Sequence, residues 1–444
     1  MIGLIEGPVN TLEKFGANAA WLLVGIGLLV AIVVFQKLDI NSNIVYEMMV
    51  VSFPIWLPII TFGLLFEYWL YFVQKKFDVA QGRVTLEIKL PQEIFKSPEA
   101  MELVLMQMYQ SAAPDNHVQT YWDGKHPPRY GLELVSRAGD VRFYISTPKK
   151  KFKNIVETQL YAQHPGIEVH ELDIDYTAEI PWDPSRFSYF SVHFGPKKAD
   201  AYPIKTYVEY GLQNMPKEEE KIDPITSMLE ALGSMGPGEH MWVQILIDAN
   251  REMTLKEGSL GLAPDWKGPA RAEMKSIIDK AVKERGDEEK KGNVMMLLTD
   301  TEKDTLKAIE RSLSKSAFNV AIRGMYIAKN ENFNPGERLG TLITAWRSYD
   351  DLNRNSIGVK WRTDFDWNWW QDPSGRKKDA LKKQELDEYK RRTYTNHNKN
   401  DKTKVMTTEE LATMFHIPGK VASTPTLARI PSKRAEPPSN LPIG

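Results

Sequence analysis

The chain has 444 residues, 57 Lys+Arg against 58 Asp+Glu for a formal net charge of −1, and no cysteine. Zero cysteine excludes a disulfide framework, thiolate zinc sites and a cysteine nucleophile, and the balanced charge excludes a chain that wraps nucleic acid over its whole length. What remains is a mixed body large enough for two or three domains with ordinary cores, preceded by two long apolar runs.

The first run, Ala17 to Phe35, is uncharged until Lys37, about the 20 residues a helix needs to cross a hydrocarbon layer. The second, Met48 to Val73, carries one acid, Glu67, beside Tyr68, Trp69, Tyr71 and Phe72, rings of the kind that collect at a headgroup interface. Pro54 and Pro58 are compatible with a membrane helix, where neighbours satisfy the freed carbonyls. A cleavable signal peptide needs a basic start and a small-residue cleavage site. Glu6, Glu13 and a lone Lys14, with no such site after Phe35, argue against it. A buried hairpin of a soluble protein is the other reading, and two nearly uncharged runs of this length argue against that.

Lys75 and Lys76 follow the second run, so the positive-inside tendency places both termini in the cytoplasm. The expectation is a transmembrane hairpin over residues 1–76, multi-pass in the inner membrane and in contact with the lipid bilayer, with the remaining residues cytoplasmic. Glu67 then reads as a snorkelling interfacial acid or as a functional intramembrane carboxylate.

Residues 77–180 read as one domain. Val84, Leu86, Ile88 and Leu90 alternate with polar residues, the signature of a half-buried strand. Ser97-Pro98-Glu99 opens a helix whose Met101, Val104, Leu105 and Met108 share a face. Tyr130 to Ser136 and Val141 to Thr147 form a hairpin around Ala138-Gly139-Asp140, Lys149 to Gln163 a second helix, and Ile167 to Leu172 a closing strand. The order β-α-β-β-α-β is that of a ferredoxin-like domain.

Residues 181–365 suggest a second, related α/β unit. It has strands at Phe187 to Phe194, Met241 to Ile247 and Phe318 to Ile327, and helices opened by Asp223-Pro224 and Asn334-Pro335. Charged helices run from Ala272 to Arg285 and Thr301 to Ser314, and the charge runs Lys217–Lys221 and Asp287–Lys291 interrupt the unit. Residues 366–444 comprise an aromatic and basic segment, a short helix opened by the capping box Thr407-Thr408-Glu409-Glu410, and an extended tail rich in proline. The fold class expected is therefore two transmembrane helices followed by α+β.

No catalytic, cofactor or metal constellation stands out. Gly258-Ser259-Leu260-Gly261 lacks the lysine and hydroxyl of a phosphate-binding loop, Ser374-Gly375-Arg376-Lys377 lacks the loop, and His164 and His170 have no acidic pair. Trp367, Trp369 and Trp370 beside Arg376, Lys377 and Lys378 have the aromatic and basic character of a single-strand nucleic-acid surface. The plainer reading of the same residues is aromatic packing on the sheet with a solvated charged helix behind it.

Several segments together resemble one family. These are Ser97 to Tyr109, Tyr144 to Pro165, Gly238 to Ile247, and above all Glu409-Glu410-Leu411-Ala412-Thr413-Met414-Phe415-His416-Ile417-Pro418-Gly419, then Thr424 to Ser432 and Glu436 to Pro442. The chain resembles the N-terminal region of membrane-anchored HerA-like or type IV secretion-like ATPases of candidate-phylum bacteria, in which a similar strip leads directly into the P-loop domain. That domain does not follow here, so ATP hydrolysis is not carried over. The resemblance implies a non-catalytic, membrane-anchored platform of a secretion-like or DNA-translocation assembly. It would form a homo-oligomeric ring and dock a P-loop ATPase on another chain through Phe415, His416, Pro418, Leu427, Arg429 and Pro431. The alternatives are a membrane-associated nucleic-acid-binding protein and an envelope scaffold unrelated to any ATPase.

Overall fold

The computed structural model describes residues 42–91, 97–109, 114–148, 152–213, 222–250, 266–285, 297–363, 372–394, 404–419 and 429–430. It has two units, Met1–Val73 with Asp366–Lys378, and Gln74–Phe365 with Asp379–Gly444. The described part of the first unit is mainly helix α1 up to Val73; the helix (Ser42–Gln81) has 40 residues, with Pro54 and Pro58 inside. The Thr61 hydroxyl donates to the Leu57 carbonyl at 2.7 Å, bonding to backbone next to Pro58, which has no N–H of its own.

Among the described residues no helix is long and apolar enough to cross a membrane. This corrects the transmembrane hairpin and the multi-pass inner-membrane location expected above. The second apolar run lies within α1, where Ser52, Pro54, Pro58 and Thr61 interrupt it. Large apolar side chains such as Val51, Ile55 and Phe62 are exposed along it. The first run, residues 17–35, lies outside the described residues, as does the Glu67 side chain.

In the second unit, alternation in β1 (Arg83–Pro91) is followed by α2 (Glu99–Met108), the short α3 (His117–Tyr121), β2 (Arg129–Arg137), β3 (Asp140–Pro148), α4 (Phe152–Gln163) and β4 (Glu168–Glu171). The β2–β3 turn has positive φ at both Ala138 (47°) and Gly139 (90°), the combination whose twist matches a two-residue hairpin. Next come β5 (Phe187–Pro196), α5 (Ile225–Gly233), β6 (Glu239–Ala249), α6 (Lys267–Arg285), α7 (Asp300–Leu313), β7 (Ala317–Lys329), α8 (Pro335–Ala345) and β8 (Ile357–Arg362). The chain closes with α9 (Arg376–Arg391), β9 (Lys404–Thr407), α10 (Thr408–Met414) and β10 (Arg429–Ile430).

All ten strands among the described residues join one sheet, ordered β10-β1-β3-β2-β6-β7-β5-β8, with β4 on β1 and β9 on β7. The expectation of two separate units is corrected here. β2 and β6 pair antiparallel from Arg129↔Asp248 to Arg137↔His240, so the strands of residues 77–180 and 181–365 share one sheet. The physical reason is edge satisfaction: each half ends on a strand with unpaired backbone groups, and the two edges complete each other. Read outward from this seam, both halves run second, third, first and fourth strand in their own chain order.

One face of the sheet carries the larger core, with Met101, Leu105, Val156, Leu160, Leu229, Leu342, Leu411 and Met414 from α2, α4, α5, α8 and α10. Gly324 in β7 is needed for this packing. A Cβ there would sit 2.9 Å from Leu342 and 3.2 Å from Phe194 and Val192, closer than packed side chains tolerate. The opposite face carries Tyr144, Tyr176, Trp242, Met325 and Tyr189 with Leu386 and Tyr389 from α9.

Candidate functional site

The strand register lines up Glu87, Tyr144, Glu133, Gln244, Arg323, His193 and Trp361 in one row across seven strands. Adjacent members sit directly opposite one another, so all lie on the same face. Alternation alone would turn these residues to water. Helix α9 instead covers the middle of the row, and Glu133, Gln244, Arg323, His193 and Glu385 are all buried.

The row is bonded along its length. Glu133 accepts from Tyr176 (2.7 Å), Gln244 (2.8 Å) and both Nε and Nη2 of Arg392 (3.0 Å each). Arg392 reaches Asp175 at 2.7 Å, and Asp175 accepts from Thr85 at 2.7 Å. Arg323 donates to Gln244 and to the Thr393 carbonyl. Glu385 accepts from Ser191 and faces His193 Nε2, each at 2.8 Å. The His193 ring lies 4.9 Å from Trp361 and 4.8 Å from Tyr394.

Burial pushes the Tyr176 and Tyr389 hydroxyls well above their ordinary range, and Glu133 beside them adds to the effect. Burial alone would lower Arg392, but Glu133 and Tyr176 hold it well above its usual value. Burial likewise raises Asp175, and Arg392 with the Thr177 and Thr85 bonds more than reverses this. Each of these groups is therefore fixed in one protonation state near neutrality. The arrangement locks α9 to the sheet, since breaking a buried pair strands a charge in low dielectric. Among the described residues no group of three or more His, Asp or Glu side chains is placed to hold a metal ion.

On the other face, the C-terminal strip from Lys404 to Gly419 is built into the core. β9 pairs with β7 from Ala317↔Thr407 to Val320↔Lys404, and the capping box forms between Thr407 and Glu410. Glu410 accepts the Ile204 N–H (3.0 Å), Glu409 the Thr206 hydroxyl (2.6 Å) and Thr413 the Tyr207 N–H (3.0 Å). Arg311 pairs with Glu409 at 3.1 Å. His416 turns Nδ1 to the Ala412 carbonyl (2.9 Å) and Nε2 to both Asp223 oxygens (3.0 and 3.1 Å). Both ring nitrogens thus face acceptors, an arrangement that only the doubly protonated imidazolium satisfies.

The strip should consequently loosen as pH rises. Burial lowers His416, but Asp223 and the backbone carbonyls raise it above 6.5 overall. Its contribution is complete below that value and is lost as pH climbs through the folded-state pKa. Burial pushes Glu410 from 4.5 to about 7, so the folded state binds the extra proton in that window and stability again falls as pH rises. The thermal midpoint should drop between about pH 5 and about pH 8. Glu410→Gln should flatten the lower part of that fall and His416→Gln the upper part. A midpoint that rises with pH over this range would contradict both assignments.

The residues singled out above for nucleic acid do not form one described surface. Trp367, Trp369 and Trp370 lie outside the described residues, while Arg376 and Lys377 are exposed and Lys378 partly exposed in the first turn of α9. The Lys378 N–H donates to Asp372 at 2.9 Å. Of the partner-binding set, Phe415, His416 and Pro418 are buried in the chain's own core. Leu427, Pro431 and the Arg429 side chain lie outside the described residues, and the Arg429 backbone pairs with Leu90. The buried row was missed altogether. Its signal was a charged or amide residue within each central apolar strand, Glu133, Gln244, Arg323 and His193.

A family described as a domain of unknown function (DUF8128) matches residues 105–429, which takes in the seam, the row from Tyr144 to Trp361 and the C-terminal strip. No curated protein matches the chain.

Proposed function

The chain belongs to the DUF8128 family, and from that premise we propose that it is a non-catalytic docking platform, with the segment beyond Gly419 engaging a P-loop ATPase module. The observation that carries this reading is the seating of the strip. Its capping box, Glu409, Thr413 and His416 are all bonded inside the body. The proline-bearing sequence after it, with Pro425, Pro431, Pro437, Pro438 and Pro442, therefore departs from a fixed point. The resemblance noted above, in which a similar strip leads into an ATPase domain, supports the same reading. A rigid root reduces the freedom that the attached segment loses on docking.

The experiment is affinity purification with a tag at Met1, comparing the full chain with a truncation after Gly419. The truncation retains β9, α10 and their core contacts. Stoichiometric recovery of a protein with a Walker A loop and ATPase activity by the full chain, and its loss from the truncated one, is the expected result. Equal recovery by both chains, or recovery of no ATPase, would sink the proposal.

A further inference from the structure

Arginines in the body commonly face carboxylates. Arg392 has Glu133 and Asp175, Arg354 has Glu209 and Asp351, Arg338 has Glu239, and Arg129 has Asp248. Arg83, the first residue of β1, instead donates to two neutral acceptors, the Ser146 hydroxyl (3.3 Å) and the Arg129 carbonyl (3.1 Å). No described carboxylate pairs with it. The nearby acids are taken: Asp78 by His126 at 2.9 Å, Asp248 by Asn319 at 2.7 Å, and Glu133 by Arg392.

The surroundings hold further cations, with acids among them. Burial, then Arg392 and Arg129, hold the Arg83 guanidinium down to about 10 against the opposing pull of Glu133 and Asp78. Burial also lowers the Lys75 ammonium, with Arg129 and Arg391 acting in the same direction and Asp78 and Glu388 opposing them, so these cations share one end of the sheet. Gly131 lets the chain pack closely at this corner. A Cβ there would lie 2.8 Å from Glu133 Oε1, 3.4 Å from Ser146 and 3.5 Å from Arg392. Arg83 itself is partly exposed and Arg391 exposed.

We propose that this corner binds a phosphate group, with Arg83 as its anchor and Arg129, Arg391 and Lys75 around it. A guanidinium has five donors, of which Arg83 uses two inside the protein, leaving a fork for an external oxyanion. A tetrahedral phosphate offers several oxygens to several cations at once, which a single carboxylate does not. The phosphate comes either from a small phosphorylated molecule or from a nucleic-acid backbone.

The test uses the full chain with two probes, inorganic phosphate followed by calorimetry and a labelled single-stranded oligonucleotide followed by anisotropy. Arg83→Gln keeps hydrogen-bonding capacity toward Ser146 and should weaken binding about tenfold or more; exposed Arg391→Gln should weaken it less. Circular dichroism checks that both variants fold. Phosphate binding without oligonucleotide binding assigns the site to small phosphorylated ligands. Oligonucleotide binding that is lost in Arg83→Gln and falls steeply with salt assigns it to nucleic acid. Binding of neither probe, or binding that Arg83→Gln and Arg391→Gln leave unchanged, overturns the proposal.

Discussion

Arg392→Gly is expected to destabilise the body by about 2–4 kcal/mol, although it replaces a strained residue with the one that fits the backbone best. Arg392 comes directly after α9 with φ of 53°, a left-handed conformation that costs a non-glycine residue about 1 kcal/mol or somewhat more. Its N–H donates to the Tyr389 carbonyl at 3.1 Å and that of Thr393 to Glu388 at 3.0 Å, the closure that usually selects glycine. What the arginine side chain supplies is the counter-charge for Glu133 and Asp175, and removing one partner of a buried pair costs about 3–5 kcal/mol. The loss exceeds the relief. A total stability of roughly 5–15 kcal/mol makes the difference easy to read as a shifted urea midpoint. Arg392→Lys should fall between, since an ammonium lacks the planar fork that meets Glu133 with two bonds. A glycine variant as stable as the parent would mean that the buried row does not hold α9.

Local elements were legible because their causes are local. The alternation from Val84 to Leu90 lies within β1, the Asn334 cap and Pro335 open α8, and Thr407 with Glu410 caps α10. The seam and the buried row were not legible, and the reason is distance along the chain. Glu133, Gln244, Arg323, His193 and Glu385 come from five separate elements, and only strand register and the seating of α9 bring them together. Alternation assigns a strand two faces but does not say whether water or a helix lies over the polar one. Helix α9 is mostly charged, so its sequence reads as solvated, and three residues, Glu385, Leu386 and Tyr389, make its buried side. The apolar run from Met48 to Val73 misled in the opposite way: apolar content suggests burial without naming what does the burying, and among the described residues no helix is long and apolar enough to cross a membrane.

The second large effect distinguishes the strip from the tail beyond Gly419. Truncation after Thr407 is expected to abolish the folded body, whereas truncation after Gly419 should leave it folded. The shorter chain loses Leu411, Met414, Phe415 and Ile417, all buried in the main core, and each such side chain contributes about 1.5–3 kcal/mol. The sum, roughly 6–12 kcal/mol, is comparable to the whole stability of an ordinary domain. It also strands the Ile204 and Tyr207 N–H groups that Glu410 and Thr413 receive, and unpaired buried donors add their own cost. Among the described residues, the longer truncated chain loses only the two-residue pairing of Leu90 and Pro91 with Arg429 and Ile430. Loss of partner binding after cutting at Thr407 would therefore report unfolding and not docking, which is why the partner experiment cuts at Gly419. Circular dichroism and a cooperative thermal transition on both truncations check this directly. A Thr407 truncation that still unfolds cooperatively near the parent midpoint would show that the strip is dispensable to the core, and the fixed root on which the docking proposal stands would go with it.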